Sequence, residues 1–263
     1  YDETPYARIA SRHFRTNHHE YFVTPQDVVD AVPKIAAAYD EPFGNSSAIP
    51  TYFCAKLAKD NACNTLLAGD GGDELFAGNE RYAKQKIFET YNNAPTFIHG
   101  LANLPYKLSS KIKNKTPFSK GYSFLTQAAT PLPDRMENYN FLHQIAPETI
   151  FNSDLLETIN TGKPLEYLSR YYNAPQEAST LNRMQYMDWK RTLADNDLRK
   201  VSHMCSLAGI TVKYPFLDSE LVDFSCSIPS DIKLREFKLR HFYKQASKGF
   251  LPNEILNKSK HGF

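Results

Sequence analysis

The chain has 263 residues, 41% of them hydrophobic, with 17 Phe and 16 Tyr, so it can bury a sizeable core and does not have the composition of a disordered chain. A formal net charge of +2 provides no strongly basic surface for nucleic acid. No apolar run is long enough to span a bilayer, and the opening Tyr1-Asp-Glu-Thr-Pro carries no secretory signal. Cys54, Cys63, Cys205 and Cys226 lie too far apart for a zinc site or a disulfide framework, and they read as reduced thiols of a cytoplasmic protein. Along the chain, His18-His19-Glu20 lacks a third metal ligand and reads as a structural segment leading into a strand. Thr24-Pro25-Gln26-Asp27 predicts a helix start, with a Thr cap, Pro in the first turn and an acid behind it. That helix should run to about Tyr39, and Ile49-Pro50 should open a second one through Lys59. Asn64 to Ala68 reads as a short buried strand, too brief for a helix and closed by glycine. A helix after Glu74 should continue past Tyr82. Recurrent prolines and a basic, Ser-containing run from Lys107 to Lys120 mark residues 93–175 as an insertion of different character. From Gln176 the pattern is helical again. Ile210 to Tyr214 reads as a second strand, and Asp218 as the cap of a helix that stops before Pro229. Strands alternating with helices predict an α/β sheet with ligands at the carboxyl ends of its strands.

The loop Gly69-Asp-Gly-Gly-Asp-Glu74 concentrates Asp70, Asp73 and Glu74 among three glycines. These carboxylates repel one another unless a cation sits among them. Gly69, Gly71 and Gly72 can take positive φ and admit a ligand close to the backbone. The alternatives are an acidic surface turn and a loop for a divalent metal carrying phosphate. The spacing excludes an EF-hand calcium loop. The Asn45-Ser46-Ser47 run suits helix capping, and Pro42 pushes Glu41 toward extended backbone. Lys238-Leu-Arg-His-Phe-Tyr-Lys244, read as a helix, places Arg240 and Lys244 on one face. Such a face is either a solvated surface or a binding surface.

Asp40-Glu-Pro-Phe-Gly-Asn-Ser-Ser-Ala-Ile-Pro50 followed by Gly69-Asp-Gly-Gly-Asp-Glu-Leu-Phe resembles the synthetase domain of the asparagine synthetase family, glutamine-hydrolysing type. Pro215-Phe-Leu-Asp218 and the Lys260-His-Gly-Phe ending strengthen the resemblance, which covers residues 1–88 and 176–263. It implies a parallel sheet with flanking helices of the PP-loop ATP pyrophosphatase type, plus a helical C-terminal part. It divides the chain into a nucleotide-site half (1–92), a variable helical insertion (93–175) and a substrate and pyrophosphate half (176–263). The family's first strand, with its Ser-Gly-Gly-x-Asp-Ser loop, and its glutaminase domain would lie before Tyr1. The piece alone should then be catalytically crippled, with an open sheet edge that invites pairing of two copies.

The activity implied is amide formation: ATP and Mg2+ activate a small carboxylic acid, and ammonia from a glutaminase domain, or another amine, displaces AMP. In this resemblance Asp70 falls where many members carry Glu, as a base for the amine. Asp73 falls where a carboxylate holds magnesium and pyrophosphate, and the glycines line the nucleotide. Asp197 and Lys200 fall near an acid and a base beside substrate. Arg240 takes the place of a lysine that stabilises the reacting phosphate, with Lys238 and Lys244 within reach. Asp40 and Glu41 fall at the rim. Ser202-His203 replaces a common Asp-Arg, and Thr211 and Lys213 replace Glu and Arg, which favours a substrate other than aspartate. Closure of a lactam and a non-catalytic assembly role are the alternative readings.

Overall fold

The computed structural model describes residues 2–95, 116–140 and 145–258. The fold is mixed α/β and rich in helix, and it divides into two compact units. One unit combines residues 1–78 with 188–263; the other is residues 79–187. Among the described residues no helix is long and apolar enough to cross a membrane.

The first unit opens with α1 (Thr4–Phe14), which sequence patterning does not announce, and α2 (Pro25–Ala37). Thr24 and Asp27 form a reciprocal capping box at the start of α2. The segment between these helices is coil rather than the expected strand, and Glu20 is held there by Arg8 at 2.6 Å and His18 at 2.9 Å. Next come α3 (Ala48–Asp60) and β1 (Thr65–Leu67). β1 pairs in parallel with β2 (Thr211–Lys213), Leu66 opposite Val212, and among the described residues the sheet has these two strands. β1 is therefore exposed rather than buried, with Leu67 71% exposed. A strand with one neighbour cannot hide its other side.

The core of this unit runs from helix to sheet. Ala31 and Ile35 of α2, Ala48 of α3 and Met204 of α11 (Leu198–Leu207) form one apolar cluster. Ala55, Cys205 and Ile210 form the next, which reaches Leu66 and Val212 under the sheet. A third gathers Leu75, Phe76 and Ile228 around Trp189, Phe216 and Phe242. Its helices are α4 (Gly72–Phe76), α12 (Ser219–Ser227), capped by Asp218, and α14 (His241–Ala246). The short helices α13 (Ser230–Lys233) and α15 (Asn253–Leu256) complete the unit.

The expected continuous helix after Glu74 is two helices. Ala77 stands in left-handed backbone at φ 54° and ends α4, and Asn79 caps α5 (Glu80–Asn92). The second unit contains α5, α6 (Thr116–Ala129), a 3-10 turn (Asp134–Tyr139), α7 (Pro147–Ile150), α8 (Ser153–Thr158) and α9 (Lys163–Asn173). It also holds most of α10 (Thr180–Asp188). Within this unit the buried Arg135 donates to Gln85 at 2.6 Å and Glu89 at 2.5 Å while lying over the Phe88 ring. Most of the basic Lys107–Lys120 run and the Lys260-His-Gly-Phe ending lie outside the described residues.

Candidate functional site

The glycine loop leaves β1 with its ladder extended by one bond, Ala68 N–H donating to the Lys213 carbonyl at 2.9 Å. Of Gly69, Gly71 and Gly72, only Gly71 takes positive φ, at 94°. A Cβ on Gly71 would meet Leu217 Cδ2 at 2.7 Å, a side-chain end that can shift, so it is the positive φ that favours glycine here. Gly69 has open space around it, and Gly72 faces the Phe216 ring at ordinary contact distance. The tightest glycine among the described residues is Gly78, which sequence reasoning does not single out. A Cβ there would lie 1.9 Å from Asp73 Oδ1 and 2.5 Å from Arg240 Nε. The Asp73–Arg240 ion pair therefore rests directly on the Gly78 backbone.

Arg240 donates from Nε to Asp73 Oδ1 at 2.9 Å, and its Nη2 lies 2.7 Å from the same oxygen. Its backbone N–H donates to the Ala77 carbonyl at 3.1 Å. Arg240 is not inside a helix, contrary to the sequence reading: it is the left-handed residue that precedes α14, with φ 52°. Lys244 follows one turn later, its N–H donating to the Arg240 carbonyl at 2.8 Å. Burial, and then repulsion from Arg240, lowers the Lys244 ammonium from its usual range. Two cations held close together suit an anion. Lys238 does not join them. It stands before α14 in an exposed turn and pairs with Glu236 at 3.1 Å.

A second group faces the loop from the π-helical stretch Trp189–Asp197 and from α11. Such wide turns often mark functional sites, and nothing in the sequence signals this one. Lys200 donates to Asp197 at 3.1 Å. Burial raises the Asp70 carboxyl, Lys200 opposes the rise and Asp197 adds to it, so these three side chains share one electrostatic neighbourhood. Glu74, buried in α4, is pushed up to about 7, chiefly by desolvation, with Asp73, Asp188 and Asp197 contributing. Tyr214, just after β2, shares a hydrogen bond with Ser202 at 2.8 Å, and Asp70 contributes to raising its hydroxyl after burial does. Among the described residues no group of three or more His, Cys, Asp or Glu side chains is arranged to hold a metal. Magnesium commonly uses one or two carboxylates together with substrate phosphates, which is the part Asp73 could play.

The loop after α2 reaches the start of α11. Arg199 pairs with Glu41 and, at 3.2 Å, with Asp40. Asn45 accepts from Ser47 at 3.0 Å and donates to Asn196 at 3.2 Å, tying the loop to the π-helical stretch beside Asp197. The Phe43, Tyr39 and His203 rings stack at 4.4 and 4.6 Å.

Residues 1–263 match the family model described as Asparagine synthase. The chain is 28% identical over 247 residues to Asparagine synthetase (glutamine-hydrolyzing) 1 of Bacillus subtilis strain 168, a match covering 92% of this chain and 37% of that protein. It is 36% identical over 108 residues to Putative asparagine synthetase (glutamine-hydrolyzing) 2 of Methanocaldococcus jannaschii, covering 41% of this chain and 21% of that protein. A Putative asparagine synthetase (glutamine-hydrolyzing) of Mycobacterium tuberculosis strain H37Rv is 22% identical over 255 residues, covering 92% and 35%. The chain thus spans little more than a third, or less, of the length of these relatives. No solved structure matches it.

Proposed function

The chain belongs to the asparagine synthase family, and from that premise we propose that it is the synthetase part of an ATP-dependent amide-forming ligase with the PP-loop ATP pyrophosphatase type of fold. The observations that carry the reading are the Asp73–Arg240 pair seated on Gly78 beside Lys244, and Asp70, Asp197 and Lys200 sharing one electrostatic neighbourhood. When bound, ATP activates a carboxylic acid by adenylation, and an amine displaces AMP to leave an amide.

Each part of this chain then has a task. Arg240 and Lys244 supply positive charge for phosphate oxygens, with Arg240 pre-oriented by Asp73 and by the Ala77 carbonyl. Asp73 would share its carboxylate between Arg240 and a magnesium ion carried on the phosphates. Asp70, its carboxyl raised by burial, is a stronger base than an exposed aspartate and can hold a proton taken from an incoming amine. Lys200, fixed by Asp197, is a positioning cation beside it. The nitrogen source would be ammonia from a glutaminase domain or another amine, and Ser202, His203 and Thr211 favour an acid other than aspartate.

The test is ATP–pyrophosphate exchange with magnesium over a panel of carboxylic acids, aspartate included. The 263-residue chain is compared with the same chain joined to an upstream strand and pyrophosphate loop of the kind its relatives carry. Exchange is expected in the joined form, driven by one acid, and Arg240→Ala should lower it by about 100-fold or more. No exchange with any acid, together with no ATP binding by calorimetry, would remove the ligase reading.

A further inference from the structure

Between α2 and the loop that follows it lies a cavity of about 550 Å3. That is the volume of a small-ligand pocket, and none of Asp70, Asp73, Asp197, Lys200 or Arg240 lines it. One wall is apolar: Val32, Ile35 and Ala36 from α2, with Ile49 from the start of α3. Phe43 closes another side and stacks on Tyr39, which in turn stacks on His203, so this aromatic surface is formed before any ligand arrives. Tyr39 also lines the cavity, and its hydroxyl is buried with no hydrogen-bond partner among the described residues.

The charge at this cavity has one sign. Asp40 and Glu41 are the charged residues that line it, and no Lys or Arg does. Arg199 reaches both carboxylates, but one guanidinium against two carboxylates leaves the rim negative. Asp40 is 86% exposed at its side chain and is met by Arg199 through one oxygen. A carboxylic acid would be repelled here. A cation with an apolar body would find a carboxylate for its head and an apolar wall with an aromatic surface for the rest. The same loop is tied through Asn45 to Asn196, the neighbour of Asp197, so the cavity borders the elements that carry the acid–base cluster.

We propose that this cavity is an amine site, binding a hydrophobic primary ammonium compound; that binding does not rest on the amide-forming reading. The probe is 2-phenylethylamine, titrated into the 263-residue chain by calorimetry, with phenylacetate as the anionic match in size. Saturable binding of the amine at one site is expected, with phenylacetate at least tenfold weaker. Ala36→Trp, which fills the cavity, should abolish binding. Asp40→Asn, a change at an exposed side chain, should weaken it severalfold while leaving the melting temperature unchanged. No saturable binding of the amine, equal binding of phenylacetate, or unchanged binding in both variants would overturn the proposal. The exchange assay separates the two readings. Exchange without amine binding sinks the cavity assignment alone. Amine binding without exchange keeps the amine site and removes the ligase reading alone.

Discussion

At the scale of single residues, the glycines differ in what they do. Gly69 has nothing within 4 Å of where a Cβ would stand, whereas at Gly78 that Cβ would fall 1.9 Å from a carboxylate oxygen. Gly69→Ala should change stability by less than about 0.5 kcal/mol, as surface substitutions do. Gly78→Ala must push Asp73 off Arg240 and should destabilise by about 1–3 kcal/mol, read from urea unfolding of both variants side by side. A result in which the two variants behave alike would mean that the pair does not sit on Gly78. Glu74 gives a prediction about pH. Burial pushes its carboxyl up to about 7, well above the usual carboxylate range. The fold therefore prefers the protonated form, a preference fully present below the unfolded value and lost as pH rises toward 7. The lost stability is about 3 kcal/mol at most by linkage. Glu74→Gln should flatten the fall in stability between pH 5 and 8, measured by chemical denaturation at each pH. If variant and parent lose stability in parallel across that range, the burial of Glu74 is not its cause.

At the scale of elements, what could be read from sequence was whatever is fixed by local chemistry. Thr24 with Asp27 and Asp218 with the following turn are caps that work within four residues, and both stand where their residue types place them. Thr24→Ala and Asp218→Ala should each lower the midpoint of thermal unfolding, at a cost of about 1 kcal/mol. No shift in either would mean that these ends are held by packing alone. Elements decided by distant partners were harder to read. The helix expected to continue through Ala77 breaks because Arg240 N–H binds the Ala77 carbonyl and Asp73 needs the space over Gly78. Neither partner is near in sequence. For the same reason the helix expected around Lys238 begins only at His241: Arg240 is drawn into left-handed backbone as it reaches Asp73. The strand expected after His18-His19-Glu20 is coil, with Glu20 engaged by Arg8 and His18. Asp70, Asp197 and Lys200 were legible as polar residues in recognisable blocks, and the structure brings them together. The π-helical turn that presents Asp197 has no signature in residue type, because a widened turn is chosen by what packs against it.

At the scale of the whole molecule, the chain leaves its first compact unit after Gly78 and returns to it at Asp188, so the segments that carry the candidate site come from both sides of the second unit. The second unit has its own internal anchor. Arg135 is 1% exposed, donates to Gln85, Glu89 and the Ala128 carbonyl, and covers the Phe88 ring. All of these partners lie within residues 79–187. A buried cation held this way contributes specificity more than net stability, but removing it leaves a carboxylate and an amide facing a void, at a cost of about 3–5 kcal/mol. Arg135→Ala should therefore open one unit and spare the other. In hydrogen exchange followed by mass spectrometry, protection should fall across α5, the 3-10 turn at Asp134–Tyr139 and α9, while α3 and α11 keep theirs. The pairing of Lys200 with Asp197 should persist because it belongs to the first unit. Equal loss of protection in α3 and α11 would show that the two units unfold as one cooperative body. Mutations anywhere between Asn79 and Met187 would then reach the candidate site through global stability rather than through contact.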